Sequence, residues 1–168
     1  MSTVLSPAPV PSLSLRRKTL PEDVRAKING ALQTTLTNLI DLSLQTKQAH
    51  WCLTGPRFLP VHEQLDELHA FYLSAIDDVA ERMTALNGVP DGRAATVASN
   101  SGLPTFPQGA MTVEGVLSTM ANHIAKTISR LREHQVEIGE RDAITEDLLI
   151  GIIGTMEKQL WMVQAQES

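Results

Sequence analysis

Three of the chain's five histidines fall within one stretch, residues 47–81, which is also rich in acids. The candidate ligands in this stretch are His50, His62, Asp66, Asp77 and Glu81. Imidazole and carboxylate groups together suit iron, zinc or manganese. The alternative is an ordinary polar helix face with solvated acids, and the spacing of the five residues decides between the two.

On an α-helix each residue turns about 100° and rises about 1.5 Å. His62 and Asp66 therefore lie one turn apart on a shared face. Asp77 and Glu81 form a second such pair. Asp66 and Asp77 are eleven residues apart, which places the two pairs on one stripe with about 16 Å between them. Asp78 points about 100° further round the helix.

Metal–ligand bonds are about 2.0–2.3 Å long, and two catalytic metals lie about 3.5–4 Å apart. One helix therefore cannot bring both pairs to the same metal. Either the pairs are unrelated, or a second copy of the helix runs antiparallel across a two-fold axis. In the second case the first pair of one subunit faces the second pair of its neighbour, and the pattern predicts two shared metal sites.

The segments KQAHW, VHEQLDE and IDDVAER resemble the signature of the Dps family, mini-ferritins that oxidise and store iron and often bind DNA. The resemblance runs from about residue 20 to the C-terminus and includes IDLSLQTKQAHW and KQLW. It implies that one subunit supplies His50, His62 and Asp66 as metal-binding and catalytic residues. The neighbouring subunit supplies Asp77 and Glu81.

The same resemblance implies a ferroxidase that holds two ferrous ions in each shared site, or one tightly and one loosely, with zinc as a substitute. Hydrogen peroxide is the expected oxidant and dioxygen a slower one. The ferric mineral is expected inside a hollow shell of twelve identical subunits, in the cytoplasm, where it protects DNA from oxidative damage. A purely structural helical bundle is a third interpretation, but it leaves the five-residue spacing as coincidence.

Four long helical patterns are expected to position these residues. The first starts near Thr19–Pro21 and runs to about Leu53. The other three cover about Phe58–Asn87, Thr112–Gly139 and Asp142–Ala165. Residues 88–110 form a long connection with a weak helical pattern at 96–101. Thr19 with Glu22 fits a capping box, Thr112 an N-cap, and Asn87-Gly88 a helix stop. The pattern predicts an all-α, ferritin-like four-helix bundle with a long crossover between the second and third helices.

One absence bears on where the metal lies. Ordinary di-iron bundles carry Glu-x-x-His motifs that point into the bundle core. This chain has no Glu-x-x-His, and its closest match is the single pair Asp66 and His69. An intramolecular di-iron centre is therefore disfavoured, which again favours the subunit boundary.

Charge is distributed unevenly along the chain. Residues 1–21 are rich in Ser and Pro and carry three basic residues, Arg16, Arg17 and Lys18, with no acid. Since the whole chain has a net charge of −5, residues 22–168 carry −8. We expect 1–21 to be a flexible tail and 22–168 to be one domain. The tail is either a disordered leader or a cationic arm that touches phosphates, and the alternative function is chiefly non-specific DNA binding and nucleoid compaction.

Several further residues have weaker assignments. Trp51 is assigned to packing or electron transfer, and Lys47 either pairs with a site acid or lies free on the surface; His69 is a candidate neighbour of the ligands. The acidic cluster Glu140, Asp142, Glu146 and Asp147 either complements a helix dipole or, by the resemblance, lines an iron-entry pore. His123 and His134 are expected to be solvated, and the role of Cys52 stays open.

Composition bounds the class of protein. Apolar residues make up 42% of the 168 and charged residues 20%, which is typical of a soluble globular chain. The single cysteine excludes an internal disulfide framework and fits a reducing compartment. No apolar run approaches the ~18–20 residues that span a membrane, and the N-terminus lacks a signal-peptide pattern.

Overall fold

The computed structural model describes residue 13 and residues 17–167 of the chain. The helices are α1 Glu22–Cys52, α2 Phe58–Ala85, α3 Ala94–Asn100, α4 Val113–Gly139 and α5 Ala143–Gln164. The four long ones form a bundle, and the short α3 lies against α1 within the connection between α2 and α4. The predicted all-α, ferritin-like bundle with a long crossover is confirmed. Most of the predicted tail lies outside the described residues.

Apolar stripes at helical spacing hold the bundle together. On α2 the fully buried side chains recur every three or four residues, as at Leu65, Leu68, Tyr72 and Ala75. Such spacing keeps one face of a helix in the core. The stripes of the four long helices meet in a single core cluster. Among the described helices, none is long and apolar enough to cross a membrane.

The helix ends confirm two of the three predicted boundary signals. The Thr112 hydroxyl caps α4 by accepting a hydrogen bond from the Gly115 N–H at 3.2 Å. At the end of α2, Asn87 adopts the left-handed φ of 64° and the Gly88 N–H donates to the Met83 carbonyl at 2.8 Å, a helix stop with asparagine at the left-handed position. The capping box at Thr19 is wrong. The N-cap of α1 is Pro21, which makes no side-chain hydrogen bond.

Two short strands, β1 Leu53–Thr54 and β2 Met111–Thr112, were not predicted. They pair in parallel, with Leu53 opposite Met111 and Thr54 opposite Thr112. Two-residue strands have no sequence period of their own, so the pattern could not show them. Their pairing brings the C-terminus of α1 beside the N-terminus of α4.

The expectation that His123 and His134 are solvated is wrong. His123 is buried, at 4% exposed, on the face of α4 that enters the core. His134 is half-buried, and its Nδ1 lies 2.9 Å from the Thr35 hydroxyl of α1. Both histidines fall near the edge of the apolar stripe of α4, where sequence alone does not separate buried from solvated positions.

Candidate metal centre

His50 and His62 come together because α1 and α2 are antiparallel neighbours joined by a short turn. The His50 Nδ1 lies 3.1 Å from the carbonyl oxygen of His62, and the His62 Nδ1 lies 3.1 Å from the carbonyl oxygen of His50. The two rings stack with centroids 3.6 Å apart. A carbonyl oxygen only accepts hydrogen bonds, so each Nδ1 carries the proton. Each Nε2 then keeps its lone pair for a metal.

Asp66 lies one turn beyond His62 on α2 and completes the cluster. Its Oδ1 is 3.3 Å from the His50 Nδ1 and 2.6 Å from the Lys47 Nζ. The Lys47 ammonium, hydrogen-bonded to this carboxylate, holds the pKa of Asp66 below its usual value. Asp66 is therefore an anion at neutral pH, as a metal ligand must be. Lys47 thus pairs with an acid of the site, which is one of the two roles predicted for it, and does not lie free on the surface.

One ligand atom from each of His50, His62 and Asp66 lies within 4.8 Å of the others. Two ligands of one ion, each about 2.0–2.3 Å from it, are at most about 4–4.6 Å apart. The three side chains are therefore close enough together to be candidate ligands of a single ion. We call this group the His–His–Asp cluster. Imidazole and carboxylate donors suit iron or zinc.

Asp77 and Glu81 lie outside the His–His–Asp cluster. Both are exposed on α2, which is a single helix from Phe58 to Ala85. Asp66 and Asp77 are eleven residues apart on it, about 16 Å. One chain therefore places these two acids out of reach of an ion held by the cluster.

Comparisons with known proteins place the chain in a family. The ferritin family, described as a ferritin-like domain, matches residues 29–167. The DNA protection during starvation protein of Agrobacterium fabrum is 31% identical over 147 residues, which cover 87% of this chain and 91% of the relative. The major subunit of the fine tangled pili of Haemophilus ducreyi is 34% identical over 138 residues, 82% of this chain and 73% of the relative.

A solved structure of Dps from Mycobacterium smegmatis superposes with a TM-score of 0.86 at 28% identity. The match covers 90% of this chain and 92% of that one. The chain belongs to the Dps family. As a Dps-family protein it is ferritin-like, and its His–His–Asp cluster lies on the first two helices of the bundle.

The four acids predicted to line a pore have different surroundings in this Dps-family chain. Asp142 is buried and accepts a hydrogen bond from Arg82 of α2 at 2.6 Å. Burial acts to raise the pKa of Asp142, but the Thr145 hydroxyl and the Arg82 guanidinium outweigh it and lower that pKa. Glu146 accepts from Gln135 at 2.6 Å. Glu140 and Asp147 are exposed.

Several side chains lie around the cluster without belonging to it. Trp51 is 69% exposed, with the Lys47 Nζ 6.0 Å from its ring centroid, so the monomer does not use it as a core side chain. The His69 Nδ1 lies 3.2 Å from the Ser43 carbonyl oxygen, outside the cluster. Phe58, which sequence reasoning missed, packs on the His62 ring at 4.8 Å. A helix-starting aromatic residue four positions before a candidate ligand was its available signal.

The predicted DNA-binding residues lie partly outside the described residues. Arg17 and Lys18 are exposed just before α1. Arg16 is outside the described residues. Cys52 closes α1, and its Sγ accepts a hydrogen bond from the Gln48 amide at 2.9 Å.

Proposed function

We propose that this Dps-family protein is a ferroxidase and iron store that oxidises ferrous iron at sites shared between two subunits. The observation that carries the proposal is an incomplete ligand set. The His–His–Asp cluster offers only three of the five candidate ligands. The other two acids lie on the same α2 about 16 Å away, too far to reach the same ion. A second copy of α2, antiparallel across a two-fold axis, completes both sites at once.

The ligand types fit this chemistry. The two imidazoles bind ferrous iron through Nε2, while Asp66, Asp77 and Glu81 are hard oxygen donors. Because carboxylates stabilise the ferric state more than the ferrous state, they favour loss of an electron. Two ferrous ions give one electron each to hydrogen peroxide, which takes up two protons and leaves as two waters. A peroxide that receives both electrons at one site releases no hydroxyl radical.

Storage follows from assembly. We propose twelve subunits in a closed shell that holds the ferric mineral, with hydrogen peroxide preferred over dioxygen as the oxidant. Among the four predicted pore residues, Glu140 and Asp147 have the exposure that ion entry requires. Asp142 and Glu146 are committed to contacts with Arg82 and Gln135 and are weaker candidates.

Subunit complementation tests the shared site. One variant, His50→Gln with Asp66→Asn, breaks the cluster; a second, Asp77→Asn with Glu81→Gln, breaks the acids expected from the neighbour. Each variant alone is expected to lose nearly all peroxide-dependent iron oxidation. Co-assembled in equal amounts, half the dimers are mixed and each mixed dimer regains one of its two sites. The mixture should therefore recover about a quarter of wild-type activity.

Asp78→Asn is the matched control, because it removes a neighbouring α2 acid that points elsewhere. It should leave iron oxidation near the wild-type rate. If the co-assembled mixture stays as inactive as its two parents, the sites are not shared and the proposal fails. Light scattering on each sample checks that assembly is intact.

DNA binding is a second candidate function. Its support is the relative's name, a DNA protection during starvation protein, together with the exposed Arg17 and Lys18 beside a body of opposite charge. We propose that residues 1–21 act as a basic arm separate from the domain 22–168. Many arms on one particle then bind phosphates together, with strong salt dependence.

A gel-shift assay at low salt tests the arm. Full-length protein should retard DNA, whereas a form lacking residues 1–18 should not, because the acidic body repels phosphates. A variant with Arg16, Arg17 and Lys18 changed to Gln separates charge from length. Absence of any shift with full-length protein would remove DNA from the proposal and leave iron oxidation untouched.

A further inference from the structure

Five buried side-chain polar atoms have no hydrogen-bond partner within the described part of the chain, and three of them lie on facing helices of the bundle. These three are the Tyr72 hydroxyl, the His123 Nδ1 and the Gln159 Oε1. The three residues are 0%, 4% and 7% exposed, and they belong to α2, α4 and α5 respectively. A buried tyrosine hydroxyl usually finds a partner, and unpaired buried polar groups are rare in native proteins.

Two of these residues lie within about one helical turn of each other in height. The Gln166 amide donates to the Gln64 Oε1 at 2.8 Å near one end of the α2–α5 pair, and Arg82 donates to the Thr145 hydroxyl at 2.8 Å near the other end. Because the two helices are antiparallel, Tyr72 and Gln159 differ by about 1.5 Å in height when counted from the first contact, and by about 6 Å when counted from the second.

The third residue lies within about one turn of that height. The His69–Ser43 contact, at 3.2 Å, fixes the register of α2 against α1 and places Tyr72 opposite about residue 40 of α1. The Leu53–Met111 pairing and the Thr35–His134 contact at 2.9 Å fix α4 against α1 and place His123 opposite about residue 44, about 6 Å from Tyr72 in height. The three unpaired atoms therefore come from one layer of the core about one helical turn deep, one from each of three helices.

We propose that this layer is a buried hydration site, in which at least one ordered water bridges Tyr72, His123 and Gln159. The hydrogen-bonding roles are complementary. Water accepts from the Tyr72 O–H, donates to the Gln159 Oε1, and donates its second proton to the His123 Nδ1. Proteins of this size hold about six buried waters, typically on polar groups that would otherwise be unpaired.

The protonation state of His123 supports these roles. Burial lowers its pKa, and the nearby Lys126 adds to the effect while Asp41 opposes it. A neutral imidazole with its proton on Nε2 presents Nδ1 as an acceptor. The site lies in the core of the bundle and uses none of the residues of the His–His–Asp cluster.

A crystal structure of the unmodified protein at about 1.8 Å resolution or better tests the site directly. We expect a water peak within about 2.7–3.2 Å of at least two of the three atoms. A dry layer, or a Tyr72 hydroxyl that donates to a protein group instead, would overturn the proposal. This measurement needs no variant and therefore does not depend on a variant's folding.

A double-mutant cycle gives a second test. Tyr72→Phe and Gln159→Met each remove one anchor of the water, and each should lower the Tm by about 2–4 °C. The double variant should lose clearly less than the sum, because the water is already displaced after the first change. Additive effects, or a Tm that rises in Tyr72→Phe, would show separate unpaired atoms and contradict the proposal.

Gln45 supplies the matched control. It is also a buried glutamine with an unpaired Oε1, but it lies on α1 and donates to the Pro104 carbonyl of the crossover at 3.0 Å. Tyr72→Phe combined with Gln45→Met should therefore be additive. Coupling of the same size in this control pair would mean that the cycle reports general core loosening, and the proposal would lose its support.

Discussion

The two histidines of the His–His–Asp cluster orient each other. Each Nδ1 hydrogen-bonds the backbone carbonyl of the other residue, and the rings stack. Backbone partners cannot swing away, so both imidazoles keep Nε2 available in a fixed direction. A ligand held in place in this way loses little freedom when it binds a metal. Lys47, by contrast, is hydrogen-bonded to one of the two oxygens of Asp66 and brings a positive charge beside the ligands.

Removing the lysine is expected to strengthen metal binding. In Lys47→Met the Asp66 Oδ1 no longer has an ammonium at 2.6 Å, and the positive charge that repels a cation is gone. Because exposed ion pairs are weak, we expect ferrous or zinc affinity to rise by about two- to fivefold at pH 7. The gain should shrink toward pH 4. In the variant, Asp66 lacks the ammonium that holds its pKa down, so its carboxylate is protonated more readily as the pH falls. Anaerobic titration of the metal-free protein measures both effects.

Lys27→Met is the control for this change. Lys27 is an exposed lysine on the same helix, five turns or more from the cluster. It removes the same charge and should leave the affinity unchanged. Equal gains in both variants would indicate a general charge effect, and a loss of affinity in Lys47→Met would mean that the lysine supports the site.

At the scale of elements, α2 links the candidate site to the opposite end of the bundle. Near its start it carries His62 and Asp66, and near its end Arg82 reaches across to α5. The Arg82 guanidinium donates to the Asp142 carboxylate at 2.6 Å and to the Thr145 hydroxyl at 2.8 Å. This clamp fixes the α2–α5 register from the end opposite the metal ligands. Asp142 is therefore a structural residue of the helix junction.

Breaking the clamp should cost stability. Asp142→Ala leaves Arg82 without its carboxylate and removes the acid at the N-cap of α5, so we expect a loss of about 1–3 kcal/mol, or a Tm about 2–8 °C lower. Asp147→Ala, an exposed acid five residues later, should leave the Tm within about 1–2 °C of wild type. Thermal melts of the metal-free protein compare the two. A Tm unchanged in Asp142→Ala would return that residue to the pore candidates.

The whole molecule combines a well-packed core with an incomplete functional site. Its core closes around one cluster of apolar side chains, yet two of the five candidate ligands face solvent far from the other three. The core also encloses polar groups, among them His123 and the half-buried His134. These two histidines make the stability of the bundle depend on pH.

Acid should destabilise the bundle through these histidines. Burial lowers the pKa of His123 and of His134, and nearby carboxylates oppose this only in part. The unfolded chain therefore takes up protons first. Their contribution to stability is complete above about pH 6.5 and is lost as the pH falls below that value. A variant with both changed to Gln should show a smaller drop in Tm between pH 7.5 and 5.5 than wild type, and an equal drop would contradict this cause.

Much of the architecture was predictable because helical periods and stop signals are local. The four long helices, the crossover, the Thr112 cap and the Asn87-Gly88 stop all follow from residues within a few positions of one another. The β1–β2 pair, the Pro21 N-cap and the burial of His123 were not predictable. The strand pair and the burial of His123 depend on which distant segment lies opposite. A two-residue strand, or a histidine at the edge of an apolar stripe, has no periodic pattern that would show this.

For the candidate site, the sequence alone determined the ligand types and the spacing on α2, because helical rise is a fixed length per residue. It therefore already excluded one metal bound by all of the α2 candidates. Only the tertiary structure decided that His50 of α1 meets His62 and Asp66, and that Lys47 is hydrogen-bonded to Asp66. The same is true of the clamp between Asp142 and Arg82. Those facts depend on the register between antiparallel helices, which side-chain packing fixes and which no local pattern encodes.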